Sequence, residues 1–313
     1  MRILVVGAGA VGGYFGGRLI ESDRDVTFLV RPRRAAELTA NGLTIISPNG
    51  NAHIKRLQTV CEGEITAPFD LVLLSCKAYD LGNAIHAFSP AVGSETVILP
   101  LLNGMEHLEI LDRALGSRRV LGGLCTIVVG LTQQTVVQHH PLQSLVLGAR
   151  NGQDQQHVHA IADAMKGCNF DSTVSGNILQ DMWEKWIFLG SLAASCCLMR
   201  APMSNIVAVP GGRTLAGAII EECKAIAVAA GFPPRPEYIE RRLPLLTEDG
   251  SSFAASMFRD VEEGHRVEAD HVIGDLIARG NTMRVSMPLL QIAYTHLKVY
   301  EHRREYANRD NGK

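Results

Sequence analysis

An apolar run, Ile3-Leu4-Val5-Val6, breaks directly into Gly7-Ala8-Gly9-Ala10-Val11-Gly12. The run has the length and composition of a buried strand, and the glycines repeat as G-x-G-x-x-G, so the chain is expected to turn sharply from strand to helix here. Gly7 permits the turn, Gly9 lets a pyrophosphate approach the backbone, and Gly12 lets the following helix pack closely on the strand. With Ala8, Ala10 and Val11 between them they form one cofactor-binding stretch, because a helix N-terminus offers free N–H groups and a partial positive charge to phosphates. A second β-branched run, Asp25-Val26-Thr27-Phe28-Leu29-Val30, follows at the distance of one βαβ unit. Glycines alone would suit any tight turn. Strand, turn, helix and strand in this order predict a Rossmann-type dinucleotide-binding domain.

The end of the second strand distinguishes one dinucleotide from another. A carboxylate there accepts hydrogen bonds from the adenosine ribose diol, whereas an arginine pairs with a 2′-phosphate. Here the chain reads Arg31-Pro32-Arg33-Arg34, with no carboxylate before Glu37. NADP(H) is the expected cofactor, with Arg31 on the phosphate and Arg33 or Arg34 assisting.

Composition narrows the function class. The chain has 313 residues, 46% of them hydrophobic and 20% charged, with a net charge of -2. It is long enough for one large or two medium domains, and its charge argues against a nucleic acid or an anionic membrane as its main partner. The start enters the first strand without the features of an export signal, and the apolar run 186–199 is too short to span a bilayer. The seven cysteines form no C-x-x-C pair, which suggests neither zinc nor redox chemistry, so no metal is expected. A cytoplasmic protein with reduced thiols is the simplest expectation.

Further along, residues 41–59 read as a hairpin insertion around Ser47-Pro48-Asn49-Gly50, and 69–76 as a buried parallel strand ending at Lys77. A helix at 81–88 leads to a strand at 96–102 that ends at Asn103-Gly104. A helix at 106–115 and a strand at 120–129 follow, then short alternating strands over 135–148 and a helix at 153–166. Open α/β sheets bind ligands beyond the carboxyl ends of their strands, so Lys77 and Asn103 are expected to face the cofactor crevice. Near Asn177 alternation gives way to helices: 178–199, 212–230, 236–247, 253–264, 266–279 and 289–301, with a disordered tail at 308–313. The expected architecture is an α/β Rossmann-type domain over 1–175 followed by an all-α helical domain over 176–313. A cleft between them would be the default substrate site.

Within the helical half two charges stand out. Lys185 lies early in an otherwise apolar helix, where a buried cation is costly unless paired or functional. Glu268 begins a later helix. The chain carries GAGAVG at its start, Lys77 in SCKAYD, Asn103 in LLNGM, Trp183 and Lys185 in MWEKW, and Ser256, Met257, Asp260 and Glu268 in SMFRDVEEGHRVEAD. In this order and spacing it resembles the ketopantoate reductase (2-dehydropantoate 2-reductase) family over essentially its full length. The resemblance implies an NADPH-dependent reduction of ketopantoate to pantoate, a step of pantothenate biosynthesis. It also implies that Lys185 donates the proton to the keto oxygen, that Glu268 assists it, that Ser256 binds the substrate carboxylate and that Asn103 lies beside cofactor and substrate. An ammonium near a developing alkoxide is both charge stabiliser and general acid, which suits these roles.

There is one departure from the family. Its members commonly carry asparagines one and two helical turns beyond the lysine, where this chain has Leu189 and Ala193. Both stay near the face of Lys185, so the substrate wall becomes apolar and a substrate hydroxyl would go unpaired. The reaction type survives, while the substrate is ketopantoate or a more apolar 2-oxo acid. A reading of another class is an NADP(H)-binding sensor or partner-binding module without turnover, which would need no proton donor. The apolar helical faces also leave a homodimer possible. His139-His140 reads as a loop or edge strand rather than a metal pair, His265 and His271 flank Glu268 without a settled role, and Cys196-Cys197 reads as small hydrophobic packing.

Overall fold

The computed structural model describes residues 1–150 and 155–310, with only the backbone described for 308–310. The chain forms two compact units, one of Met1–Leu102 with His107–Leu179 and one of Asn103–Glu106 with Gln180–Lys313.

In the α/β half, β1 (Arg2–Val6) runs into α1 (Ala10–Glu21) and returns as β2 (Asp25–Leu29). There follow α2 (Pro32–Asn41), β3 (Leu43–Ile46), β4 (Ala52–Ile54), β5 (Gln58–Val60), β6 (Leu71–Leu74), α3 (Leu81–Phe88) and β7 (Val97–Pro100). The half closes with α4 (Glu106–Leu115), β8 (Gly122–Thr132), β9 (Thr135–Gly148), α5 (Gln155–Met165) and β10 (Asp171–Val174). A five-stranded sheet in the order β5-β2-β1-β6-β7 is parallel throughout. Strand β1 is central and buried, as its apolar run requires. Its carboxyl end lies at the point where the strand order reverses, the position at which such sheets bind ligands.

A second sheet is built on β9, which pairs with β8 antiparallel and with β3 and β10 parallel, while β3 pairs with β4 as the expected hairpin. Helix α1 lies against both sheets because its glycines remove the side chains that would hold it off. A Cβ at Gly16 would stand 2.6 Å from the Phe28 ring of the first sheet, and one at Gly17 2.6 Å from Ile45 of the second. The expectation of several short strands over 135–148 is corrected: they are one strand of 14 residues. Pro141 gave the impression of a break, but it falls where the β8–β9 register shifts, between Ile127 and Val129, so its missing N–H interrupts no ladder bond. His139 and His140 are both exposed on this strand.

The helical half contains α6 (Ile178–Met199), α7 (Met203–Val207), α8 (Gly212–Ala229), α9 (Pro236–Arg241), α10 (Ser256–Glu262), α11 (Asp275–Thr282) and α12 (Pro288–Asp310). Three expected helices are shorter than their sequence patterns. After α9 the chain passes into a 3₁₀ turn, Leu243–Leu246, that contains Pro244. Helix α10 begins at Ser256 rather than 253, and a π turn, Asp270–Gly274, precedes α11 where one helix from 266 was expected. Helix α12, by contrast, runs on to Asp310, so residues 308–310 of the expected disordered tail are helical, and 311–313 lie outside the described residues.

Helix α6 is buried nearly all round, with Trp186, Ile187, Cys196 and Cys197 in the core. Burial pushes the Cys196 thiol up to about 11 and that of Cys197 higher still, which makes both poor nucleophiles. No helix among the described residues is long and apolar enough to cross a membrane.

Candidate active site

The turn after β1 is held by main chain and by two side chains. Gly7 has φ +92°, a conformation that favours glycine, and its N–H donates to the Leu29 carbonyl at 2.9 Å. A Cβ at Gly12 would sit 2.1 Å from the Gly7 carbonyl oxygen, so any larger residue forces α1 off the strand. At Gly9 the opposite holds: a Cβ there would meet nothing within 4 Å, and the N–H groups of the first turn of α1 have no intrahelical acceptor. A turn that is crowded beneath and open in front fits the diphosphate of a dinucleotide.

The two side chains were not anticipated for this task. The Ser75 hydroxyl, just beyond β6, donates to the Val6 carbonyl at 2.9 Å, with the Gly7 carbonyl at 3.3 Å. Arg34 reaches back from the first turn of α2, donating from Nε to the Ala8 carbonyl at 3.2 Å and from Nη1 to Glu37 and Gln134. Its side chain is 14% exposed, whereas those of Arg31 and Arg33 are 77% and 88% exposed. Arg34 is therefore part of the frame, Arg33 faces solvent beside Glu37, and Arg31 is the arginine open to a ligand. Arg31 also has a partner invisible to the local sequence: its Nη2 lies 3.0 Å from Asp80, in the 3₁₀ turn Ala78–Asp80 that starts just after the exposed Lys77.

In the helical unit, Lys185 on α6 is half-buried and donates from Nζ to Asn103 Oδ1 at 3.0 Å. The two predicted residues, far apart in sequence, are thus brought together. Contacts one and three residues along α6 draw in the segments that carry the others. The Trp186 indole N–H donates to the Val272 carbonyl at 2.9 Å, and the Val272 N–H donates to the Glu268 carbonyl at 3.0 Å. Phe188 packs edge-on against Phe253, at 5.3 Å between ring centres, three residues before Ser256. Ser256 is exposed at the first position of α10, and Glu268 is half-buried in the turn before the π segment. Leu189 is half-buried and Ala193 is buried.

Glu184, the neighbour of Lys185, is the charged residue that sequence reasoning passed over. Its carboxylate is 2% exposed and accepts from the Arg235 backbone N–H at 2.8 Å, from Arg235 Nε at 2.9 Å and from Gln180 Nε2 at 3.2 Å. Arg235 also pairs with Asp181. Burial alone would raise the Glu184 carboxyl, but these hydrogen bonds and the guanidinium charge outweigh it and hold its pKa below the ordinary value. Gln180, Asp181 and Glu184 at helical spacing were the available signal of a polar seam on this apolar helix.

The model of the family described as Ketopantoate reductase PanE/ApbA matches residues 3–152, and that of its C-terminal part matches 177–301. An uncharacterized oxidoreductase, YkpB of Bacillus subtilis, is 37% identical over 302 residues, covering 96% of this chain and 99% of its own. The 2-dehydropantoate 2-reductase of Halobacterium salinarum is 24% identical, covering 93% of this chain and 96% of its own. The crystal structure of 2-dehydropantoate 2-reductase from Geobacter metallireducens superposes with a TM-score of 0.87 at 28% identity, covering 95% of this chain and 99% of that one.

Proposed function

The chain belongs to the ketopantoate reductase family, and on that premise we propose that it is an NADPH-dependent reductase of a 2-oxo acid, with ketopantoate, giving pantoate, as the first substrate to try. The observation that carries this reading is the Lys185–Asn103 hydrogen bond of 3.0 Å on a largely apolar helix. An amide oxygen that accepts from this half-buried ammonium fixes the direction of the Nζ atom, as a general acid requires.

In this reading residues 7–12 hold the diphosphate, Arg31 holds the 2′-phosphate, and Lys77 and Asn103 line the remainder of the cofactor site. NADPH held there would supply the hydride that the keto carbon receives. As the carbonyl π bond breaks, Lys185 gives its proton to the oxygen, and Asn103 keeps the ammonium aimed. The Ser256 hydroxyl receives the substrate carboxylate, and Glu268 supplies the negative charge that balances the lysine. A general acid so placed contributes about 10²–10⁴-fold to the rate.

Leu189 and Ala193 favour a second reading of the same site, with a more apolar 2-oxo acid as substrate. Neither side chain can pair with a substrate hydroxyl, and an unpaired buried hydroxyl costs about 1–3 kcal/mol. The test is NADPH oxidation by the purified protein against ketopantoate and a panel of 2-oxo acids with aliphatic or aromatic side chains. Fastest turnover of ketopantoate supports the first reading and preference for an apolar member supports the second. Tight NADPH binding with no turnover of any 2-oxo acid would leave a sensor.

A further inference from the structure

Asn103 can aim Lys185 only if its own backbone is held. It opens the segment Asn103–Glu106, which is grouped with the helical unit, and the next residue, Gly104, has φ +78°. A Cβ at Gly104 would lie 2.8 Å from the His271 carbonyl oxygen and 3.2 Å from its ring carbon Cδ2, so this segment packs directly on His271. At the far end of the segment, Glu106 Oε2 lies 3.3 Å from His271 Nδ1. His271 is 5% exposed and sits in the π turn Asp270–Gly274. The residue after it, Val272, accepts the indole N–H of Trp186, the immediate neighbour of Lys185.

These contacts close a ring. From Lys185 they pass to Asn103, along the segment to Gly104 and Glu106, across to His271, on to Val272 and back through Trp186 to α6. We infer that His271 is a positioning residue for the proton transfer, acting on Lys185 through the Asn103–Glu106 segment; the inference rests on the reading of Lys185 as the proton donor. The geometry is supported by Asp275, whose carboxyl is raised by burial, with Arg279 and His271 opposing and Glu106 adding to it, so that Glu106, His271 and Asp275 share one electrostatic neighbourhood. A π turn at this point is in keeping with the frequent use of such turns at functional sites. A buried histidine bonded to a carboxylate is also an ordinary packing feature, and the two roles differ in what they move: packing alters stability, whereas aiming alters kcat.

The experiment is steady-state kinetics with thermal unfolding for His271→Ala, His271→Gln and Glu106→Gln, each alone and combined with Asn103→Ala, beside Lys185→Ala. A small displacement of a catalytic group costs up to about 10²-fold, so His271→Ala is expected to lower kcat by roughly 10–10²-fold while KM for NADPH stays unchanged. His271→Gln, which retains a donor toward Glu106, recovers most of that loss. On the Asn103→Ala background His271→Ala brings no further loss, since both changes release the same lysine. Equal losses with and without Asn103, or a lower unfolding temperature with unchanged kcat, would overturn the inference. If His271→Ala fails to fold, Glu106→Gln decides the matter, because its side chain is 46% exposed and the change leaves the packing in place. Undiminished kcat in Lys185→Ala removes the functional reading and this inference with it. Loss in Lys185→Ala without loss in the His271 variants removes the inference alone.

Discussion

At the turn of residues 7–12, where the cofactor diphosphate is proposed to bind, the features are main chain: a positive φ at Gly7, the N–H groups of the first turn of α1, open space before Gly9. Early in α6 the features are side chains, and two adjacent charges are handled in opposite ways. Glu184 is sealed beneath Arg235, while Lys185 reaches Asn103. Residues one apart on a helix point about 100° apart, so a single turn of α6 serves packing on the Glu184 side and presents Lys185, the proposed proton donor, on the other. A backbone site tolerates many side chains around it and no bulk at a few positions. A side-chain site fails when any one of its members is removed.

The sharpest test of that contrast is Lys185→Ala, which should lower kcat by about 10²–10⁴-fold and leave NADPH affinity intact by direct titration. Retained turnover would take the lysine out of the mechanism. Next in size is Arg235→Ala, which strands a carboxylate that is 2% exposed and should destabilise the fold by about 3 kcal/mol, read by denaturant unfolding. The sign with pH follows from the lowered Glu184 pKa: the stabilisation is complete above its ordinary value of 4.5 and is lost as pH falls through the folded-state value. The variant should therefore lose stability less steeply in acid than the parent does. An unchanged acid limb would mean that the pair does not set it.

Two glycines then separate fold from ligand. Gly12→Ala places a Cβ 2.1 Å from a carbonyl oxygen and should cost about 1–3 kcal/mol of stability. Gly9→Ala meets nothing within 4 Å, so unfolding should change little while NADPH binding weakens by about 2 kcal/mol. Equal effects on stability would erase the distinction between them. The smallest effect is expected at Arg31. Because it is 77% exposed and already faces Asp80, Arg31→Ala should weaken NADPH by about 1 kcal/mol relative to NADH, and Asp80→Asn should shift the ratio the other way. Parallel losses for both cofactors would remove Arg31 from the 2′-phosphate.

What could be read from the sequence was local. The strand, turn and helix at the start are written in adjacent residues, and α6 was legible because no proline breaks 178–199 and its stretch 186–199 carries no charge. Strand β9 was misread because Pro141 looks like an end until its partner strand is known to shift register there. Lys185 and Asn103 were both singled out, but the bond between them spans 82 residues and no spacing rule predicts it. Ser75, Arg34 and Asp80 act on the glycine turn and its arginine from other elements, and Arg235 meets Glu184 across 51 residues. Their side chains are ordinary in sequence and acquire a role only through tertiary neighbours.

The most direct test of the central claim is to follow the hydrogen itself. The protein is incubated with a 2-oxo acid and NADPH deuterated on the transferring face of C4, and the product is examined by mass spectrometry and NMR. Deuterium at C2 of a 2-hydroxy acid, with transfer nearly abolished in Lys185→Ala, is the result expected. NADPH bound and unconsumed beside intact 2-oxo acids would contradict the account.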